Sequence, residues 1–241
     1  MDSIAVISDI HGNLTAFQTV LSDIRKRGIT SIICLGDVIG KGHHQEECLA
    51  LAKETCSVLL MGNHEEYHEP KVELPFCHEL YLSGRLVRFF HAHPASTKFL
   101  IFGSFMDPKA AVGFFEPSER TVSQKLADVA VLGHTHAPCM NKCYHRILLN
   151  AGSVGNWIEC FSEEEKNGDP RATAKASYLI LSGILDSHDF DDPLSFEFVN
   201  LSYDIDKELE GIDDPAWEEE LRKGWYRDQP KLKRYFEQKK G

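Results

Sequence analysis

Long hydrophobic runs are missing from this chain of 241 residues. Its most apolar stretches, SIICLG and YLILSGIL, fall far short of the roughly 20 residues that cross a bilayer, so no membrane partner is expected. Asp2 stands where a secretory signal would carry positive charge, and the expected location is cytoplasmic. Positive charge is scarce throughout: 26 Lys and Arg face 37 Asp and Glu, a formal charge of -11. Binding along a nucleic acid relies on Lys and Arg neutralising phosphates, so no long nucleic acid is expected as a partner. An acidic protein can still hold phosphate through metal ions. A disulfide framework is absent too, because the seven cysteines are odd in number and spread from Cys34 to Cys160, as in a reducing compartment. Cys139, Cys143 and His145 follow closely on two histidines in HTHAPCMNKCYH. With no second pair at zinc-ribbon spacing, they are expected to be core or hairpin thiols rather than a separate zinc site.

What the chain does have is one recurring arrangement: a short apolar run, then glycine or a polar residue, then a potential metal ligand. SIAVISDIHGN leads to Asp9 and His11, SIICLGD to Asp37, SVLLMGNHE to Asn63 and His64, RLVRFFHAHP to His91 and His93, and DVAVLGHTH to His134 and His136. Runs of this length, rich in Val, Ile and Phe, read as buried strands. Between the first two, Leu14, Phe17, Leu21 and Ile24 share one face of a helix, with Asn13 as N-cap and Gly28 as stop. HHQEECLALAKETC is a second helix candidate. Alternating strands and helices imply parallel pairing and an α/β layered domain, in which sites gather beyond the carboxyl ends of the strands. The ligand candidates fall there.

Asp9, His11, Asp37, Asn63, His91, His134 and His136 are too many for one tetrahedral site and suit two adjacent ions completed by water. Their ligand types fit divalent Mn first, with Fe, Zn, Co or Ni as alternatives, better than Ca or Mg. Two ions roughly 3.5 to 4 Å apart need a shared anion, for which Asp37 is the candidate. His134 and His136, two apart, can either chelate one ion together or face two. Such a pair of ions suits displacement at phosphorus: they polarise phosphoryl oxygens, lower the pKa of water and place the hydroxide in line. His68, His78, His145 and His188 are expected to have no such role.

SDIHGN, LGDVIGKG, GNHEE, HAHP, LGHTHAP and NAGSVG, in this order, resemble the motif series of calcineurin-like metallophosphoesterases, specifically their small bacterial and archaeal branch, over about residues 3–156. The resemblance implies a four-layer α-β-β-α sandwich of two mixed sheets. It also implies that Asp9, His11 and His136 hold one metal, that Asn63, His91 and His134 hold the other, and that Asp37 bridges them. His64 matches the family histidine beside the substrate, which stabilises the transition state or protonates the leaving oxygen; an imidazole can do either. His91 is taken over His93 because it follows the strand directly, as in the family pattern.

Two departures from the family pattern stand out, the first bearing on substrate and the second on a turn. Protein phosphatases of this superfamily resemble GDxxDRG, whereas this chain has Gly40 and Lys41 in GDVIGKG; lysine attracts phosphate as a point charge without a bidentate contact. A Ser/Thr protein phosphatase is therefore the alternative rather than the first reading, and a non-catalytic interaction scaffold is the rival from another class. Ala151 stands where the small branch usually has proline. Asn13, Lys41 and His43, with His44 beside them, are the candidate substrate-binding residues. The resemblance implies a phosphorylated small molecule, a phosphodiester or a nucleotide polyphosphate as substrate. HRILLNAGSVG suggests a further strand, ASYLILSG and LSFEFVNLSYD a pair of strands expected to extend a second sheet packed against the first, and EEEKNGDP a surface loop. The division expected is a metallophosphoesterase domain over 1–204 and a helical extension over 205–241 packed on it. In that extension Asp214 is an N-cap, Pro215 a first helical residue and Gly224 a stop. Trp217, Leu221 and Trp225 share a docking face there, and that face is also compatible with a lid or a contact in an oligomer.

Overall fold

The computed structural model describes residues 1–68, 73–98, 111–158 and 174–223. The loop EEEKNGDP and the positions of Gly224 and Trp225 lie outside the described residues. The chain opens with β1 (Asp2–Ile7), α1 (Leu14–Lys26), β2 (Ser31–Cys34), α2 (Gln45–Thr55), β3 (Val58–Leu59) and α3 (Asn63–Tyr67). It continues with β4 (Cys77–Leu82), β5 (Arg85–Phe90), β6 (Val129–Leu132), β7 (Cys139–Cys143) and β8 (Arg146–Asn150). The last elements are β9 (Ala176–Gly183), β10 (Ser195–Leu201), α4 (Ile205–Glu208) and α5 (Pro215–Lys223).

Two mixed five-stranded sheets result, one ordered β10-β9-β1-β2-β3 and the other β4-β5-β6-β8-β7. In the first, β1, β2 and β3 run parallel while β9 and β10 pair antiparallel at the other side. In the second, β5, β6 and β8 are parallel, with β4 and β7 as antiparallel edges. Strand β1 shows why the sheets stack: Ile4 and Val6 face the second sheet beside Val87, Phe89 and Val131, while Ala5 and Ile7 face Phe17, Val20 and Ile24 of α1. A strand buried on both faces reads as the continuous apolar run seen in the sequence. Helices α1 and α2 form the outer layer of the first sheet. Over the second sheet, Phe90, Ala130, Leu132 and Leu148 are covered by Ala111, Phe114 and Phe115 around a single 3-10 turn, Val112–Phe114. This α/β sandwich is the expected fold, with irregular chain supplying that layer among the described residues.

Cys139 and Cys143 stand at opposite ends of β7, roughly 13 Å apart at about 3.3 Å per strand residue, and so cannot chelate one ion. Among the described residues no helix is long and apolar enough to cross a membrane. In the tail, Trp217 and Leu221 are buried, and the Glu208 carboxylate of α4 accepts the backbone N–H of Thr15 at the start of α1, at 2.9 Å.

Candidate metal centre

The carboxyl ends of β1, β2 and β3 in one sheet and of β5 and β6 in the other deliver all seven ligand candidates, and His64, to one place. Asp9, His11 and His136 form one group able to hold a metal, His11, Asp37 and His64 a second, and Asp37, His91 and His134 a third. Asn63 joins the third group through its Oδ1, 3.1 Å from His91 Nε2. His93 does not join: its Nδ1 accepts the Ala95 N–H, and its ring stands edge-on to Phe114.

The local backbone is strained for this purpose. Asp9, His11, Asp37, His134 and His136 all have φ between 51° and 62°, a left-handed conformation that costs a non-glycine residue roughly 1–2 kcal/mol. Hydrogen bonds hold each turn. One oxygen of each aspartate is spent on the backbone, Asp9 Oδ2 accepting from His134 N and Asp37 Oδ1 from His64 N, both at 2.8 Å. The Asn150 amide donates to the Gly133 carbonyl and to Thr135 Oγ1, so the side chain between the two histidines turns away from the site into packing. Ala151 donates its N–H to the Leu132 carbonyl at 2.8 Å, a bond that proline at this position would lack.

Glu65 is the residue that sequence reasoning missed. Its fully buried carboxylate accepts four backbone N–H groups: Asp37 at 2.8 Å and Gly62 at 3.0 Å on Oε2, Val38 at 2.8 Å and Ile39 at 3.2 Å on Oε1. One side chain thus ties the turn bearing Asp37 to the turn bearing Asn63. Burial and the nearby Asp37 charge push its pKa up while the backbone donors pull it down, and the net shift is upward. The signal available was the acidic residue three after Gly62 at a helix start, the spacing of a capping box.

The donor set fits a cation. His11, His91 and His136 each donate Nδ1–H to a backbone carbonyl, of Ile39, Leu35 and Asn156 respectively. A carbonyl only accepts, so Nδ1 carries the proton and Nε2, in any of these rings that is neutral, turns a lone pair inward. There His11 Nε2 and His136 Nε2 lie 3.0 Å apart. His91 Nε2 lies 3.1 Å from Asn63 Oδ1, 3.2 Å from His134 Nδ1 and 3.3 Å from Asp37 Oδ2. Asp9 Oδ1 is buried without a hydrogen-bond partner although His136 Nε2 is 3.2 Å away, and His134 Nε2 is buried unpartnered as well. Lone pairs converging on lone pairs repel unless a positive charge sits between them. The titration behaviour agrees. Burial opposes ionisation of both aspartates, yet the surrounding imidazoles, His136 foremost at Asp9 and His91 at Asp37, hold them below the usual carboxylate range. Burial and the facing histidines push His11 down to about 3 and His134 down to about 4. At His91 burial works against the charged ring, but Asp37 outweighs it and raises the pKa to about 9. That proton stands in for part of the charge the cage is built to hold.

His64 differs from the other members in exposure: its side chain is 34% accessible, against 2% for Asp37. Its ring packs edge-on to His11 at 5.0 Å. A β-carbon on Gly40 would come within 2.2 Å of His64 Nδ1, and the position has a φ of 128°, so glycine is the residue that fits this backbone. Of the candidate substrate residues, Asn13 is fully buried. It accepts Ala16 N–H as the cap of α1 and donates to the Gly155 carbonyl and Tyr203 hydroxyl, which leaves no amide hydrogen for substrate. Lys41 lies at the rim with its Nζ 2.5 Å from Asn156 Oδ1. His43 pairs with Asp214 at 3.0 Å, and His44 stands at the N-cap position of α2 without a side-chain capping bond.

A family model described as the calcineurin-like phosphoesterase superfamily domain matches residues 3–174. An uncharacterized protein of Methanocaldococcus jannaschii is 30% identical over 249 residues, spanning 87% of this chain and 91% of that protein. A metallophosphoesterase from Sphaerobacter thermophilus aligns at TM-score 0.62 and 21% identity over 91% of this chain and 98% of its own. A hypothetical protein from Pyrococcus horikoshii aligns at TM-score 0.65 and 13% identity over 94% and 100%. At these identities the two solved structures establish likeness of fold.

Proposed function

The chain belongs to the calcineurin-like phosphoesterase superfamily, and from that premise we propose that it hydrolyses phosphoesters with two divalent metal ions, Mn first. The observation that carries this reading is that the three ligand groups form a chain, sharing His11 between the first and second and Asp37 between the second and third. One ion would leave an end of that chain unused. Two ions would use both ends, and Asp37, whose Oδ2 lies 3.9 Å from His11 Nε2 and 3.3 Å from His91 Nε2, would be the residue able to serve both. In this reading Asp9, His11 and His136 hold one ion, Asn63, His91 and His134 the other, and His134 and His136 serve different ions.

When bound, such ions draw charge from phosphoryl oxygens and lower the pKa of water. The protein's own groups supply the rest. Carbonyl-anchored imidazoles keep their lone pairs aimed without reorganisation. In this reading His64, on the exposed side and fixed through its N–H to Asp37, stabilises the transition state or passes a proton to the departing oxygen. The substrate is a phosphorylated small molecule, a phosphodiester or a nucleotide polyphosphate. The test is direct: protein stripped with EDTA and refilled with Mn is expected to hydrolyse bis-p-nitrophenyl phosphate, and to cleave nucleotide polyphosphates faster than phosphoproteins. No turnover with Mn, Co, Fe or Zn would sink the reading.

A further inference from the structure

We infer that helix α5 is a wall of the substrate site, positioning Lys41 to select substrates that carry a second anionic group beyond the scissile phosphorus. The inference rests on the phosphoesterase reading above. Helix α5 and the residue before it clasp the loop 40–44 at three points about one helical turn apart. Asp214 Oδ2 is 3.0 Å from His43 Nε2. Trp217, 3% exposed, lies so close over Gly42 that a β-carbon there would meet its Cζ2 at 2.9 Å. Glu220 Oε1 is 3.4 Å from Lys41 Nζ. Positions 214, 217 and 220 share a face at helical spacing, so the helix meets the loop along its length.

The other side of the same loop touches the metal centre. Gly40 lies against the His64 ring, and Gly42 donates its N–H to the His11 carbonyl at 2.7 Å. Lys41 sits between these contacts. Its ammonium donates to Asn156 Oδ1 at 2.5 Å, and the backbone carbonyl of that asparagine takes the His136 Nδ1–H at 2.5 Å. One residue therefore separates the Lys41 charge from a ligand candidate. In a chain of formal charge -11 a polyanion is repelled at long range, and a fixed cation at the rim offsets this where it counts. Lysine has a long, mobile stem that normally loses rotamer freedom on binding. Glu220 and Asn156 take that loss before the substrate arrives, which is preorganisation. Glu220 is thus a positioning residue acting through Lys41. A substrate with a neutral group beyond the reacting phosphorus gains nothing from it.

The experiment compares kcat/KM for adenosine triphosphate with that for bis-p-nitrophenyl phosphate, using the full chain loaded with Mn. Lys41→Met is expected to lower the ratio at least tenfold, chiefly through KM for the triphosphate. Glu220→Gln is expected to lower it three- to fivefold, with metal content unchanged. An unchanged ratio in Lys41→Met, or a raised ratio in Glu220→Gln, which would make Glu220 a competitor for Lys41, overturns the inference. If the wild type turns over neither substrate, the phosphoesterase reading fails, and the wall is read by fluorescence. Inorganic tripolyphosphate should then change the emission that Trp217→Phe removes, and the change should vanish in Lys41→Met. Equal changes in wild type and Lys41→Met would overturn it.

Discussion

The two ends of the sandwich use the same costly backbone conformation for different ends. Eight non-glycine residues have positive φ among the described residues. Asp9, His11, Asp37, His134 and His136 lie beyond the carboxyl ends of parallel strands. Ser83, Tyr144 and Asp186 lie in the β4–β5, β7–β8 and β9–β10 connections, and antiparallel pairing puts all three at the opposite end. In a hairpin a left-handed residue turns the chain: Tyr144 faces water at 68% exposure, whereas Ser83 is buried and hydrogen-bonded to Pro193 and Ile184, and at an exposed turn glycine or asparagine would serve as well. At the metal end the left-handed residue carries the functional group itself, and the fold buries hydrogen bonds to keep it there. Strain that serves a turn can be relieved at no functional cost. Strain that serves a site cannot.

The same substitution made at the metal end should have the largest effect. Asp37→Gly relieves the left-handed strain at φ 53° and the burial of a carboxylate, but it also removes the acceptor of the His64 N–H and the charge that partners His91. The metal-free chain is therefore expected to unfold at only a modestly lower temperature, strain relief offsetting part of the lost hydrogen bond and charge pairing. Turnover should nonetheless fall on the order of 10³-fold or more, exceeding the 10–100-fold that loss of a ligand's supporting partner produces. Melting curves of the stripped protein and rates of the Mn-loaded protein check both halves. A large loss of metal-free stability would show that Asp37 is held for the fold and not for the site.

Glu65→Gln tests what holds the strain, and its effect should be smaller. An amide nitrogen would face two of the four backbone donors, setting donor against donor, at roughly 1–3 kcal/mol for each buried group left unsatisfied. Metal affinity should weaken about 10–100-fold, with Asp37 and Asn63 still present but no longer fixed in register. Calorimetric titration with Mn measures this. Affinity equal to the wild type would mean that the remaining bonds suffice to hold the Asp37 turn.

This difference between the ends also explains what could be read in the sequence. Strands β1, β2, β5 and β6 were legible because burial on both faces makes them continuous apolar runs bounded by glycine and ligands, and helix α1 because its buried residues recur at helical spacing. Strand β4 was not, since CHELYL mixes half-buried residues at a sheet edge; CMNKC of β7 is another edge without an apolar signature. The partition of strands between the sheets reads wrongly from the sequence: ASYLILSG and LSFEFVNLSYD are expected in the second sheet, yet β9 pairs with β1 and carries β10 into the first, because long-range pairing, not local pattern, decides it. The ligand candidates announced themselves by residue type. Glu65 did not, because a Glu-Glu pair at a short helix reads as solvated until four backbone donors are seen to converge on it. Lys41 and His43 were legible as charged groups near the mouth, whereas their clasp by α5, some 170 residues along the chain, was beyond any local pattern. The left-handed aspartates and histidines were also hidden, because glycine and asparagine are the usual markers of that conformation.

The smallest expected effect lies at the hairpin end. Tyr144 holds φ 57° with its side chain exposed, between Cys143 of β7 and His145. Glycine there removes the clash of Cβ with the backbone, worth roughly 1–2 kcal/mol, while adding freedom to the unfolded chain that takes back about 0.5–1 kcal/mol. The net gain is thus some tenths of a kcal/mol to about 1 kcal/mol, which for a chain of this size is a rise of about 1–4 °C in Tm. Turnover should be unchanged, because β7 is an edge strand and its turn lies at the end away from the metal centre. A thermal scan of Tyr144→Gly beside the Asp37→Gly chain then puts one substitution at both ends, with stability gained and activity kept at the first. A fall in turnover on relieving Tyr144 would break the division, since it would couple the hairpin turn to the site through the length of β8.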